Sequence, residues 1–347
     1  FRVARGMSED QIIHIATLET ESVSRTEFET NIRTPIEDYI TTNGLTDTVN
    51  YLVTTKGVPL RINGTPNGGD ENRASVDQEL MLILGSLSIR IGGTGSYTSP
   101  YYTEEAEFAR TEYDMYLVTR LTAYTIDQVK SLIDRSAIAT TTNVGNFVLD
   151  VDPNRDTGAY QQGNDWMRDA ESILSERGYN VLLDETTTYM TNQDNLLGYY
   201  SWGSNDCCEP NNGIPNNTYV NGSIAETIVS SSGRTFQYPP TYGQSLIADL
   251  IAEGVTGVAG YTTEPLVTAI AHADILFDRY TKGYNLAESF GMSTNHISWK
   301  QVVVGDPKMV AIKQRAFDIL TPAHEDISTT TTPTFTWEEM ESYYGLD

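Results

Sequence analysis

The chain has 347 residues and a formal net charge of −25, with 47 acidic against 22 basic side chains. A surface this acidic repels DNA, RNA and anionic lipid, so the composition excludes a nucleic-acid-binding protein and favours a soluble protein of the secreted or salt-adapted kind. No apolar run approaches the roughly 20 residues of a membrane-spanning helix, and two adjacent cysteines do not form a disulfide framework.

The first elements are predicted close to the N-terminus. The apolar-rich segment over residues 11–18 predicts a strand. The sequence Ser24-Arg25-Thr26-Glu27 fits a capping box, in which the Ser and Glu side chains bond the first backbone N–H groups of a helix. Apolar residues then follow at helical spacing until Asn43-Gly44, where the helix is expected to end.

Apolar strand-like segments then alternate with helical patterns along the rest of the chain. The predicted strands of the main sheet are residues 49–55, 116–121, 147–151, 196–202, 225–230, 255–260 and 301–304. Parallel strands need crossover connections, which are usually helices, and their sheets are covered on both faces. The pattern therefore predicts an α/β fold with a mostly parallel sheet flanked by helices on both faces.

The C-terminal residues change in composition. Residues 328–332 form a Ser/Thr tract, and the acidic segment after Pro333 carries apolar side chains. We predict a domain over residues 1–312, either as one unit or as halves 1–112 and 113–312, followed by a linker and tail over 313–347. The apolar side chains predict self-association through Thr329 to Asp347; the alternative is a tail folded back onto its own domain.

Two neighbouring predicted strands end in short motifs. The first ends in Ser201-Trp202-Gly203-Ser204, and the second ends in the small-residue run Val229-Ser230-Ser231-Ser232. With Lys56-Gly57-Val58-Pro59 and Val304-Gly305-Asp306-Pro307, their order resembles an uncharacterised bacterial and archaeal family related to the gingipain-like cysteine peptidases. The resemblance covers residues 1–308 and implies a caspase/gingipain-like fold.

Gingipain-like peptidases carry a catalytic His at the first motif and a nucleophilic Cys at the second. Against that pattern, Trp202 stands at the His position and Ser230 at the Cys position. A thiolate nucleophile needs a base, whereas an indole nitrogen only donates. The resemblance thus implies a protein without cysteine-peptidase activity. Trp202 either fills the old cleft or lines a ligand site, and Ser230 is either a small turn residue or a displaced nucleophile.

Further residues are candidates for chemistry. Cys207 and Cys208 follow the first motif and are either a surface vicinal pair, disulfide-linked in an oxidising compartment, or a displaced nucleophile. The charged members of the motifs could form a polar cluster at the sheet end, although salt bridges and caps are the commoner outcome; they are Asp77, Glu79, Arg120, Glu226, Glu264 and Asp306. The four histidines, His14, His272, His296 and His324, lie in no recognisable motif.

Oxygen side chains alternate after the third strand of the predicted sheet, at Asp150, Asp152, Asn154 and Asp156. This spacing suits Ca²⁺, and no other cofactor is expected, although Arg155 replaces the turn glycine of an EF-hand loop. The alternative is an acidic turn with Asx hydrogen bonds. Sequons at Asn63, Asn216 and Asn221 are candidate glycosylation sites if the protein is exported.

These observations favour a non-catalytic extracellular or cell-surface protein on a peptidase-like scaffold. Its role would be structural or in recognition, and a self-assembling filament subunit is one form of it. The alternative is a hydrolase with a rearranged active site. The geometry around Trp202 and Ser230 discriminates between them: a His, Cys or carboxylate within hydrogen-bond reach of Ser230 beside an open pocket favours the enzyme, and a filled cleft favours the scaffold.

Overall fold

The computed structural model describes residues 1–64, 74–91, 97–139 and 145–311, with the backbone of two later strands. The strands are β1 Ser22–Ser24, β2 Tyr51–Thr55, β3 Arg61–Asn63, β4 Tyr97–Thr98, β5 Leu117–Leu121, β6 Asn146–Asp150, β7 Val181–Asp184, β8 Leu196–Ser201, β9 Tyr219–Thr227, β10 Gly257–Tyr261, β11 His296–Ile297, β12 Gln301–Val304, β13 Phe317–Thr321 and β14 Thr336–Glu339. The helices are α1 Arg25–Glu27, α2 Thr34–Thr42, α3 Val76–Leu80, α4 Arg110–Tyr113, α5 Ile126–Ala137, α6 Gln161–Glu176, α7 Ile247–Glu253, α8 Ala273–Thr281 and α9 Leu286–Ser293.

Eight of these strands form one sheet in the order β2-β5-β12-β10-β9-β8-β6-β7. Neighbouring strands are parallel except for β10 and β12, which pair antiparallel with Val258 opposite Val304. All seven predicted strands lie in this sheet, so the predicted mostly parallel architecture is confirmed. The one reversal means that β10, β9 and β8 end at the edge of the sheet where β12 begins.

Both faces of the sheet are covered by helices. Successive residues of β8 point to opposite faces: Tyr200 packs with Phe277 of α8 in one core cluster, and Tyr199 packs with Leu132 of α5 and Ile247 of α7 in another. Both tyrosines are fully buried. A parallel strand buried on both faces needs a near-continuous apolar sequence, which is why these segments were recognisable from composition.

The N-terminal region forms a third core cluster around one long helical segment. Ser24 accepts a hydrogen bond from the Glu27 backbone N–H, and a π-helical stretch, Phe28–Arg33, joins α1 to α2. The capped helix ending near Thr42 was therefore predicted correctly. The strand predicted over residues 11–18 was wrong, because its inner side chains Ile13 and Ile15 pack against this cluster without a strand partner among the described residues.

A buried ion pair connects β5 of the sheet to α3. Arg120 on β5 donates from Nε and Nη2 to the two carboxylate oxygens of Asp77, at 2.9 and 2.6 Å. The same guanidinium donates to the carbonyl oxygens of Val58 and Pro59, and Thr54 donates to Asp77. Every partner is satisfied, which is the condition under which a buried charge is tolerated.

Backbone contacts divide the chain into two compact units, Phe1–Ile312 and Lys313–Asp347. In the second unit, β13 and β14 pair antiparallel. The predicted self-association segment, Thr329 to Asp347, lies outside the described residues except for β14. Among the helices of the described ranges, none has both the length and the apolar character needed to cross a membrane.

Candidate functional site: a polar pocket beside Ser230

Trp202 directly follows β8 and is buried, with 1% of its surface exposed. Its indole Nε1–H donates to Asn164 Oδ1 on α6 at 2.7 Å, and the guanidinium of Arg155 lies 5.5 Å from the ring centroid. The ring packs against Gly163, where an added Cβ would lie 3.0 Å from Trp202 Cζ2. The indole therefore fills the end of the sheet as a packed and hydrogen-bonded side chain, with no exposed face for a ligand.

Ser230 lies after β9 at the mouth of an open cavity of about 750 Å³. Its Oγ is 3.5 Å from Oε1 of Glu264, a longer separation than an ordinary O–H···O hydrogen bond. Glu264 is exposed, and its neighbour across the cavity, Lys300, donates to the Glu264 carbonyl oxygen. The cavity thus adjoins the serine, and the Glu264 carboxylate lies at the limit of hydrogen-bond reach from it.

The cavity collects residues from distant parts of the sequence. Its described lining residues are Glu21, Arg61, Ser230, Ser231, Arg234, Thr235, Gln237, Pro239, Pro240, Thr241, Gln244, Thr262, Thr263, Glu264 and Lys300. The lining is dominated by hydroxyl, amide and charged groups, with three cationic and two anionic side chains. This wall is built where β9 and β10 end and β12 begins, the edge at which α/β sheets place their ligands.

Arg234 shapes one wall of this cavity. Its guanidinium donates to the carbonyl oxygens of Ser231, Thr241 and Gln244, which folds residues 231–244 back toward the sheet. Arg61 on β3 donates to the Arg234 carbonyl at 2.6 Å. Burial lowers the pKa of Arg234 from its ordinary value, opposed by the nearby acidic and phenolic groups.

The loop after β6 contains the four residues predicted to bind calcium. Both oxygens of Asp156 accept hydrogen bonds from Arg168, and these bonds lower the pKa of the Asp156 carboxyl. Asn154 turns its amide group toward Asp152 Oδ1. Asp150 is buried, and burial raises its pKa to about 7. Asp156 is thus paired with Arg168, and Asn154 with Asp152, and calcium binding by this set of four stays a prediction.

Cys207 and Cys208 are exposed free thiols in contact with each other. The hydrogen bond from Cys208 is the main cause that raises the pKa of Cys207 to about 11. A nucleophilic cysteine needs a lowered pKa, so this environment disfavours the displaced-nucleophile interpretation. Together with Asp206, the two thiols form a group whose ligand atoms lie within 4.8 Å of one another.

The remaining charged motif residues are not assembled into one site. Glu79 pairs with Arg25, and Asp306 pairs with Arg5, in the manner of structural ion pairs. Glu226 is fully buried in β9, and burial raises its pKa well above the ordinary value. These residues lie on different elements and serve as structural contacts, as the alternative interpretation of the motifs expected.

None of the described histidines lines the cavity. His272 stacks on Trp166 with ring centroids 3.8 Å apart, and burial lowers its pKa to about 4. His296 is in β11, where burial also lowers its pKa. His14 is exposed, and His324 lies outside the described residues. No imidazole is found among the described lining residues of the cavity beside Ser230.

The three sequons differ in accessibility. Asn63 and Asn216 are exposed, at the end of β3 and in the loop before β9. The backbone N–H of Asn216 donates to Glu253 Oε1 at 2.7 Å. Asn221 lies within β9, and the third residue of its sequon, Ser223, is fully buried. The first two therefore remain the better candidates for modification.

Sequence reasoning missed the residues that define this site most clearly. Arg61, Arg234 and Lys300 lie on three separate segments, and no local spacing relates them. Gly163 and Asn164, which hold Trp202, begin a helix without any recognisable motif. A glycine followed by a buried amide in the first turn of α6 was the one local signal, and it becomes interpretable only once the packing against β8 is known.

The sheet order and strand directions define a mostly parallel α/β protein. No protein-family model matches the chain, and no curated protein matches its sequence significantly. Among solved structures, it is similar to the Arg-specific cysteine proteinase gingipain R, with TM-score 0.47, 11% identity, and 85% of this chain and 78% of that chain covered. A structure described only as a protease is similar with TM-score 0.45, 12% identity, and 84% and 72% covered. At these identities the likeness concerns the fold alone.

Proposed function

We propose that this chain is a non-catalytic recognition protein that binds an acidic peptide segment in the cavity beside Ser230. The observation that carries the proposal is the charge of the described cavity lining, in which Arg61, Arg234 and Lys300 outnumber Glu21 and Glu264. A local excess of positive charge is unusual on a chain with a net charge of −25. A cleft with low-dielectric walls focuses such a field and attracts ligands of opposite sign.

The two lining carboxylates oppose this field to different extents. Glu21 Oε1 accepts hydrogen bonds from the Thr235 hydroxyl and the Phe236 backbone N–H, so the chain itself occupies that oxygen. Glu264 is exposed and screened by solvent. Guanidinium and ammonium groups form charge-assisted hydrogen bonds with carboxylates, which makes a peptide bearing Asp, Glu or a terminal carboxylate the ligand class of best fit.

The rim of the cavity adds contacts that suit an extended peptide. Pro239 and Pro240 line it, and the neighbouring Tyr238 has 73% of its surface exposed. Exposed tyrosine is typical of recognition surfaces, because its ring offers apolar area with a polar end. Peptide binding would cover this side chain.

The lack of catalysis follows from the groups around Ser230. A seryl nucleophile needs a base that takes its proton, and the nearest carboxylate oxygen, in Glu264, is 3.5 Å away on an exposed side chain. The second candidate function is a hydrolase in which Ser230 and Glu264 form a rearranged dyad. That same contact is the observation that favours it, should the two side chains approach on substrate binding.

Binding is tested with the full chain and a pool of synthetic peptides of varied charge. We expect acidic peptides to be retained, and Lys300→Ala to weaken their binding about tenfold, as the loss of one charged hydrogen bond implies. Lys130→Ala, a change of the same charge on exposed α5, is the matched control and should leave binding unchanged. Equal retention by Lys300→Ala and Lys130→Ala would contradict the proposal.

We also propose that the protein lies outside the cell or on its surface. The acidic composition and the exposed sequons at Asn63 and Asn216 support it. N-linked sugar on either residue would project from a loop or strand end, where a glycan is tolerated. Mass loss on enzymatic removal of N-linked sugar from the native protein is the expected result, and an unmodified native mass would count against use of the sequons.

We also propose that copies of the chain assemble through the segment Thr329 to Asp347. The segment carries five apolar anchors, Phe335, Trp337, Met340, Tyr343 and Tyr344. Their burial at about 25 cal/mol per Å² offsets the entropy lost on ordering the segment. We expect the full chain to form oligomers or filaments and a chain ending at residue 328 to be monomeric. Monomers of both lengths at high protein concentration would show that the tail does not assemble the protein.

A further inference from the structure

A second site lies at the ends of β6 and β8, away from the residues that line the Ser230 cavity. These strands are parallel neighbours, so the loops that follow them meet at one edge of the sheet. The loop after β8 brings Asp206, Cys207 and Cys208 together, with their ligand atoms within 4.8 Å of one another. The loop after β6 contributes Asp152 to the same neighbourhood.

Asn154 joins the two loops. Its side-chain Nδ2 donates to Asp152 Oδ1 at 2.9 Å and to Cys207 Sγ at 3.2 Å, so one amide spans the carboxylate and the thiol. The Cys208 backbone N–H donates to Asp206 Oδ1 at 2.9 Å, which fixes that carboxylate beside the sulfur atoms. The arrangement is held by the backbone of both loops.

Two buried carboxylates here keep an oxygen without a hydrogen-bond donor in the described part of the chain. Asp152 is 0% exposed, and its Oδ2 has Arg155 Nε at 3.6 Å as an ion-pair partner but accepts no hydrogen bond from the described residues. Asp150 is 1% exposed, and its Oδ1 likewise accepts none from them. Buried carboxylate oxygens are normally satisfied, since each unpaired one is costly. A cation held beside Cys207 would supply the Asp152 carboxylate, which Asn154 connects to that thiol, with a further counter-charge.

We propose that Asp206, Cys207 and Cys208, with Asp152 as the fourth ligand, bind one zinc-like divalent cation. Two sulfur and two carboxylate donors suit the four-coordinate preference of Zn²⁺. The thiols select against Ca²⁺, which takes oxygen ligands. On binding, each thiol loses its proton to solvent, and the two thiolates and the metal form two metal–sulfur bonds without change of oxidation state.

This assignment differs from the calcium prediction in its residues as well as its ion. Asp156 is held by Arg168, and the amide group of Asn154 supports the site as a donor, so neither is available as a ligand. Asp152 is the residue common to both sets. The ligand set extends across two loops that are far apart in sequence, whereas the calcium prediction used one local spacing.

The test uses the reduced, chelator-treated full chain and Zn²⁺ alone. We expect one Zn²⁺ per chain, protection of both thiols from a thiol reagent, and a higher melting temperature that excess chelator reverses. Cd²⁺ should give a sulfur-to-metal absorption band. Ca²⁺ at the same concentration should protect neither thiol. These readouts on the unaltered chain do not depend on any variant folding.

Variants then assign the ligands. Cys207→Ser and Cys208→Ser should each weaken Zn²⁺ binding at least tenfold, and Asp152→Asn about tenfold, as loss of one ligand implies. Asp127→Asn, an acid on exposed α5, is the matched control and should not change it. Thiols that react equally with and without Zn²⁺, a reduced chain that binds only Ca²⁺, or a Cys207–Cys208 disulfide with no zinc uptake after reduction would each overturn the proposal.

Discussion

Replacing Arg120 by Met is expected to lower the free energy of unfolding by about 3–5 kcal/mol, the usual cost of removing one partner of a buried ion pair. The change leaves the Asp77 carboxylate 2% exposed and without its counter-charge. It also removes the guanidinium donors to the carbonyl oxygens of Val58 and Pro59. Denaturant unfolding measures the loss as a lower midpoint at unchanged slope.

The matched control is an ion pair of the same formal charge on the surface. Lys130 and Asp127 of α5 are 68% and 90% exposed, and Lys130→Met should cost about 1 kcal/mol or less. The double variant Arg120→Met with Asp77→Leu should recover part of the loss, because no buried charge then remains unpaired. If the Arg120→Met variant were as stable as the Lys130→Met control, the buried ion pair would not be a major contribution to the stability of the protein.

Replacing Trp202 by Ala is expected to lower the free energy of unfolding by about 3–5 kcal/mol, as in other cases where a buried aromatic side chain is removed. The cavity left behind adjoins Gly163 and Ile228, which cannot collapse into it without moving α6 against the sheet. The change also removes the donor to Asn164 Oδ1, a fully buried oxygen. Thermal and denaturant unfolding measure both effects together.

Trp299 provides the matched control for this substitution. It is only partly buried, and its ring contacts Lys300 and His296 near the surface. Trp299→Ala should therefore cost clearly less than Trp202→Ala. A second variant, Trp202→Phe, keeps most of the apolar contact but removes the N–H donor. Its stability cost should be smaller than that of Trp202→Ala and larger than that of Trp299→Ala. Equal stability of Trp202→Ala and the unaltered chain would contradict the interpretation of Trp202 as a structural plug.

The sheet could be predicted because its strands are buried on both faces. Such strands are mostly apolar, as in Leu196–Ser201, and need no knowledge of their neighbours to be found. The antiparallel pairing of β10 with β12 could not be predicted, since the direction of a strand depends on the path of the connection before it. The strand predicted at residues 11–18 was wrong because apolar side chains such as Ile13 and Ile15 are needed by any segment that packs on a core, with or without a strand partner.

The residues of the candidate sites also differ in whether the sequence alone could predict them. Trp202 and Ser230 stood out because the resemblance to the gingipain-like pattern set them at the catalytic positions after two predicted strands. The cations around Ser230 were not predictable, because Arg61 and Lys300 are separated by most of the chain and meet only through the fold. Asp206 and the two cysteines are adjacent in sequence, yet their link to Asp152 through Asn154 required the pairing of β6 with β8.

The most direct test of the central claim, binding without catalysis, is the mass of peptides that have been held by the protein. After incubation with the unaltered chain, acidic peptides should be recovered at their starting masses, and Ser230→Ala should give the same peptides in the same yield. Peptides that the unaltered chain shortens, and that Ser230→Ala leaves intact, would show instead that Ser230 is the nucleophile of a rearranged hydrolase.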